Sequence, residues 1–282
     1  MNMPEFVGTG WLTLEQGASY QYPISEATKQ SLSEVNCDPW LRLIFVFEEA
    51  KEGRFKHVDL VLDILKTPDL FDLHEYAIRL LGFCAPMSAL RELSKMVVKL
   101  NYDLRIEAYD ALRNSGRLEF IEDYLEFKRK ASGDELQTIK DRISDILENN
   151  ECVFSDDYND IPAPSYEKMA RDKVSELKKL YGEDSFVLQG QEVNVEFISK
   201  QLEAEIDFVP NEDDGVFFNN SLFINYVELF EAMTGVSSFN MLNDELMPNK
   251  VAIRSILKEF KNNFDINQFP RHGRIFFGHK ID

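Results

Sequence analysis

Seven amphipathic segments follow one another between residues 38 and 149 with turns of only a few residues, and this spacing constrains the fold more than any other feature of the chain. They read DPWLRLIFVFEEAK, GRFKHVDLVLDILK, DLFDLHEYAIRLLGFC, PMSALRELSKMVVKL, NYDLRIEAYDALRN, RLEFIEDYLEFKRK and DELQTIKDRISDILE. Each carries an apolar stripe of helical period; Leu104, Ala108, Ala111 and Leu112 form that of the fifth. Helices of about a dozen residues joined so tightly pack as antiparallel pairs. The stripes also recur. Sliding LHEYAIRLLGFCAPMSALREL over LRIEAYDALRNSGRLEFIEDY aligns Leu73 with Leu104, Ala77 with Ala108, Leu81 with Leu112 and Leu90 with Ile121, a period of about 31 residues. At the turn Pro86 faces Arg117, so the match is incomplete.

Four regions follow from composition. Residues 1–37 read as irregular apart from a short helix beginning near Ser25. Residues 38–150 hold the helical repeats. In residues 151–164 the periodicity lapses, and SDDYNDIPAPS combines two prolines with turn-forming Asp and Asn, the composition of an acidic linker. Asp156, Asp157 and Asp160 also spell DDxxD, a magnesium-holding pattern of terpene synthases. That pattern belongs on a long helix with a second metal motif facing it, whereas Pro162 and Pro164 interrupt any helix here, which favours the hinge.

Residues 165–282 read as an acidic, mainly helical C-terminal domain. SYEKMARDKVSELKKLYG is helical up to Gly182, SLFINYVELFEAMTG places Phe223, Tyr226, Val227 and Phe230 on one face, and KVAIRSILKEFKNNF repeats that pattern. FVLQG reads as a short strand, and RHGRIFFGHK as a short strand or a docked aromatic tail. VEFISKQLEAEI fits a helix through Ile198, Leu202 and Ile206, and equally a strand through Val193, Val195 and Phe197.

The fifth and sixth segments, NYDLRIEAYDALRNSGRLEFIEDYLEF, resemble a HEAT repeat. Asp103 stands near the start of the first helix, Arg105 follows it, Ala108 and Ala111 are small where two helices approach, and Gly116 supplies the turn. The resemblance covers roughly residues 38–149 and is degenerate in the flanking pairs, which lack the Asp/Arg signature. The expected fold class is therefore mainly α: a HEAT-like antiparallel helical repeat layer followed by a mostly helical acidic C-terminal domain with little β.

Charge narrows the function. The chain has 31 Lys and Arg against 50 Asp and Glu, a net charge of -19, which argues against nucleic acid as a partner because such binding neutralises phosphates with cations. Residues 151–249 contain 6 basic and 21 acidic side chains, and residues 201–249 have ten carboxylates with no Lys or Arg. A field of this kind steers a cationic partner. The start MNMPEFVGTG has neither the basic nor the apolar region of a signal peptide, and the strongest apolar run, residues 43–47, is too short for a bilayer. A cytoplasmic protein without a membrane partner is expected.

Chemical motifs are sparse. Cys37, Cys84 and Cys152 are odd in number and form no CxxC, as expected of reduced thiols. His57, His74, His272 and His279 form no HExxH, HxH or Cys/His cluster. An EF-hand register through Gly215 would put Pro210 first and Ser221 twelfth, so PNEDDGVFF is not a calcium loop. No GxxxxGK[ST], GxGxxG or GxSxG occurs. Neither a catalytic residue, a cofactor nor a metal is expected.

Small acidic proteins with degenerate helical repeats resemble, in general character, immunity proteins of bacterial polymorphic-toxin and contact-dependent inhibition systems. The resemblance implies a non-enzymatic protein that neutralises a basic cognate toxin domain, often a nuclease, by covering its active cleft. The expected contact residues are Glu203, Glu205, Asp207, Glu212, Asp213 and Asp214 on the acidic block. A second expected set is Glu119, Glu122, Asp123 and Glu126 on the second helix of the clearest repeat. The alternatives are a helical-repeat adaptor or scaffold, and a metal-dependent enzyme with a site at the domain junction near Asp156, Asp157 and Asp160.

Overall fold

Asp38 begins the first long helix: its side chain accepts from Trp40 N at 3.0 Å, and Pro39 occupies the first helical position, where a missing N–H costs nothing. The computed structural model describes residues 26–32, 38–148, 153–155, 162–207, 220–238, 240–243 and 247–281. In chain order the helices are α1 (Glu26–Ser31), α2 (Pro39–Lys51), α3 (Asp59–Leu65), α4 (His74–Cys84), α5 (Met87–Val97), α6 (Tyr102–Asn114), α7 (Phe120–Lys130) and α8 (Gly133–Leu147). A 3-10 turn, Pro68–Leu73, leads into α4. There follow α9 (Ala163–Tyr181), strands β1 (Val187–Leu188) and β2 (Gln191–Glu192), α10 (Val195–Asp207), α11 (Asn220–Thr234), α12 (Lys250–Asn263), and strands β3 (Ile275–Phe276) and β4 (His279–Lys280). All seven repeat-region segments are helical, and the only sheets among the described residues are two antiparallel hairpins.

The described residues fall into two compact units, one drawn from Met1–Arg54, Asn194–Arg271 and Ile275–Lys280, the other from Phe55–Val193, His272–Arg274 and Ile281–Asp282. In the second unit α4, α6 and α8 pack in succession, with α5 against α6 and α7 against α8 and α9. This is a helical-repeat-like layering. The aligned residues Leu73, Ala77, Leu81 and Leu90 are buried, as are Leu104, Ala108, Leu112 and Ile121. Ile139 and Ile143 of α8, also buried, continue the same 31-residue spacing. Polar links follow the same period. Arg79 bonds Glu107, Arg91 bonds Glu119, Ser94 bonds Asp123, Arg105 bonds Glu135 and Arg113 bonds Asp145, each pair separated by 28 to 32 positions.

Gly82 lets α4 and α6 approach: a Cβ there would lie 2.7 Å from Ala111 Cα, a backbone atom that no rotamer change can move. Gly82→Val is therefore expected to lower stability by about 2–3 kcal/mol through forced separation of the two helices. Its urea midpoint measures this, and a midpoint equal to wild type would show that the helices part at no cost.

One supersecondary order occurs twice: helix, helix, hairpin. In α8–α9–β1–β2 the turn residues Gln189 and Gly190 have φ of 50° and 65°; in α11–α12–β3–β4 Phe277 and Gly278 have φ of 48° and 80°. Two positive φ values make the two-residue turn whose twist suits a hairpin. Both turns also cap a helix. Gln189 N and Gly190 N donate to Asp145 O and Ile146 O of α8 at 2.7 and 2.9 Å, while Phe277 N and Gly278 N donate to Ala232 O and Met233 O of α11 at 2.6 and 2.8 Å. The last carbonyls of each first helix thus gain donors they lack within the helix. A buried carboxylate holds each following loop: Glu148 accepts from Val153 N and Phe154 N, and Glu231 from Ser238 N and Oγ.

In the first unit α10 packs on α11 and α12. The helix-or-strand ambiguity resolves at Asn194, whose side chain accepts from Phe197 N at 2.9 Å and so starts a helix, burying Ile198 and Leu202. Phenylalanines fill this unit: Phe230 meets Phe260 edge-on at 5.3 Å, and Phe47 meets Phe276 at 6.1 Å. The tail RHGRIFFGHK supplies both of the expected features, a short strand and docked aromatics. The prolines of IPAP do not only interrupt: Pro162 precedes α9 and Pro164 lies in its first turn, where proline is tolerated.

Candidate partner-binding surface

Glu122, Asp123 and Glu126 stand on α7 and Glu119 at its N-cap, at spacings of three and four that place them on one helical face. Each has a partner within the fold. Glu119 takes Arg91 at 2.9 Å, Glu122 takes Arg171 at 2.8 Å, Glu126 takes Lys130 at 2.6 Å, and Asp123 accepts from the Ser94 hydroxyl at 2.8 Å. Arg171 also reaches Glu167, which Arg129 bonds through two nitrogens at 2.8 and 2.5 Å, so the row continues to α9.

Beside this row, between α5 and α7, lies a trough of about 490 Å³. It is lined by apolar Val98, Phe120 and Phe127, by the carboxylates of Glu119, Asp123 and Glu126, and by the cations Arg91, Lys95 and Lys130. A recess of about 180 Å³ shares Val98, Phe127 and Lys130 and adds Arg105, Tyr109 and Glu135. There the Tyr109 hydroxyl and Arg105 Nε donate to the same Glu135 oxygen at 3.0 and 2.6 Å. The Arg105 hydrogen bond holds Glu135 below the usual carboxylate range, and burial pushes the Tyr109 hydroxyl well above its own.

Asp123 is the electrostatic exception in the row. Desolvation raises its pKa, Ser94 opposes this, and the charges of Glu126, Glu119 and Glu122 raise it further. Glu126, bonded to Lys130, is lowered instead. A carboxyl raised in the folded state binds protons more readily there than in the unfolded chain, so it weakens the fold above its folded pKa and ceases to do so as the pH falls through that value. Asp123→Asn, which retains an acceptor for Ser94, is therefore expected to raise the melting temperature at pH 7. The gain should shrink as the pH is lowered into the carboxylate range; a lower melting temperature at pH 7 would sink this assignment.

Of the acidic block, Glu203 is bonded to Lys261 of α12, and Glu205 and Asp207 fall in the last turn of α10. Glu212, Asp213 and Asp214 lie outside the described residues, as do Asp156, Asp157, Asp160, Cys37 and Cys152. Among the described residues no group of three His, Cys, Asp or Glu is placed to hold a metal, and no helix is long and apolar enough to cross a membrane. Cys84 is buried, and desolvation pushes its thiol up to about 12, far from a nucleophile's range. His74 is buried with Nε2 at 3.1 Å from both Ile64 O and Thr67 O, and His272 sits on the surface beside Glu192.

The sequence reading overlooked the partners of the α7 row. Arg91 and Ser94 precede Glu119 and Asp123 by 28 and 29 positions, so the 31-residue period already held the signal. Comparison with protein-family models, curated proteins and solved structures gives no match to this chain.

Proposed function

We propose that this chain is a non-enzymatic protein-binding module that acts as an immunity protein, covering the active cleft of a basic cognate toxin domain with an acidic surface. The observation that carries this reading is the carboxylate row of α7 beside an open trough lined in part by apolar side chains, in a chain of net charge -19. Net negative charge speeds encounter with a cationic partner, and apolar anchors slow its release. Most rim carboxylates contribute little individually, so the row acts through its combined field.

The test begins with capture from the source lysate at low and high salt. The expected partner is basic, is retained at low salt, arrests growth when expressed alone, and is silenced by co-expression with this chain. Reversing Glu122 and Glu126 to Lys is expected to slow its association by about tenfold at low salt and to flatten the salt dependence. A partner that is not basic, or that binds equally at both salts, overturns the charge-based reading. It would favour the adaptor alternative, which the stacked helices of the repeat layer also suit.

A further inference from the structure

We propose that the trough between α5 and α7 receives two side chains from one helix of a basic protein: a Lys or Arg that meets Asp123, and an aliphatic residue one helical turn away that covers the exposed Val98 beside the buried Phe127. This rests on the protein-binding reading above and specifies what that partner presents.

The charge pattern selects the first side chain. The cations lining the trough are already closed: Arg91 by Glu119 at 2.9 Å, Lys95 by Glu92 at 2.8 Å and Lys130 by Glu126 at 2.6 Å. Asp123 differs, because its bond comes from the neutral hydroxyl of Ser94. Among the described residues the trough therefore retains one carboxylate charge without a cation partner, at a half-buried position surrounded by the fields of Glu119, Glu122 and Glu126. An incoming guanidinium or ammonium compensates it; an anion is repelled. A second copy of this chain, also at -19, is disfavoured for the same reason.

The apolar lining selects the second. Val98 is 56% exposed where the trough and recess meet, and Phe127 lines both. Asp123 and Phe127 are four positions apart on α7, one helical turn, so a partner helix matches them with residues at the same spacing. Volumes of about 490 and 180 Å³ hold side chains and not a helix, so the partner backbone stays at the rim.

The experiment is a selection of displayed helical peptides on the full chain at low salt. Enriched peptides are expected to carry Lys or Arg with Leu, Ile or Met four positions away, and to bind Asp123→Asn and Val98→Asp about tenfold or more weakly than wild type, while binding Glu196→Gln, at an exposed carboxylate of α10 paired with Lys200, unchanged. Melting curves of each variant verify that it is folded. Basic peptides that bind both trough variants as tightly as wild type overturn the trough and leave the acidic-surface reading standing. Enrichment of peptides that are not basic, with binding indifferent to salt, overturns both.

Discussion

Arg274→Ala is expected to lower the stability of the protein by about 3 kcal/mol or more, because it strips the donors from a buried helix end. The Arg274 guanidinium, only 2% exposed, donates to Ala85 O at 2.5 Å, Gly82 O at 2.8 Å and Phe83 O at 3.3 Å. These carbonyls close α4, where the last turn has no intrahelical donors and the helix dipole favours a cation. Buried acceptors left without a donor carry their full desolvation cost. Urea unfolding measures the loss, and Arg274→Lys, with a single ammonium in place of the fork, should lose less than the alanine variant. A second readout is local: with Cys37 and Cys152 replaced by serine, Cys84 at the end of α4 should label faster with a thiol reagent in Arg274→Ala. A midpoint shift worth under about 1 kcal/mol would mean that water caps these carbonyls adequately.

Gly116→Ala should cost about as much for a different reason. Gly116 has φ +56°, and a Cβ there would lie 2.0 Å from Phe186 Cδ2 and 3.0 Å from Val187 N. The left-handed backbone alone costs an alanine about 1–2 kcal/mol, and the clash with a buried ring adds to it. The neighbouring chain cannot simply retreat, since Val187 N donates to Gly116 O at 2.8 Å and Val193 N to Phe186 O at 2.7 Å. We expect a loss of about 3 kcal/mol in total. In a double-mutant cycle with Phe186→Ala the clash disappears and the backbone cost remains, so the two substitutions should be less than additive by about 1 kcal/mol or more. Simple additivity would assign the whole effect to backbone conformation.

The helical layer was legible because its signals are local. Stripe period, capping residues and turn length act over a few positions, and each segment read from the pattern corresponds to one of α2 to α8, with the glycine turn at 116, although α3 fills only Asp59–Leu65 of the second segment and a 3-10 turn opens the third. The 31-residue recurrence also located the buried stripe. Its polar counterpart went unread, although Arg91–Glu119 and Arg105–Glu135 follow nearly the same spacing. VEFISKQLEAEI stayed ambiguous because alternation and helical period coincide there; the cap by Asn194 decides it. In the tail, strand and aromatic character were visible, but nothing near Arg274 announces a contact about 190 positions away.

The candidate surface divides in the same way. That Glu119, Glu122, Asp123 and Glu126 share a face follows from helical spacing alone. That Arg91, Arg171 and Lys130 bond three of them while a serine hydroxyl meets the fourth does not. The sequence by itself determined the helices, their order and the acidic face of α7, since each depends on neighbours within a turn or two. Only the tertiary structure decided which helix ends are capped from afar and which carboxylate of the trough meets a serine hydroxyl in place of a cation among the described residues, because those pairings join residues that folding alone brings within bonding distance.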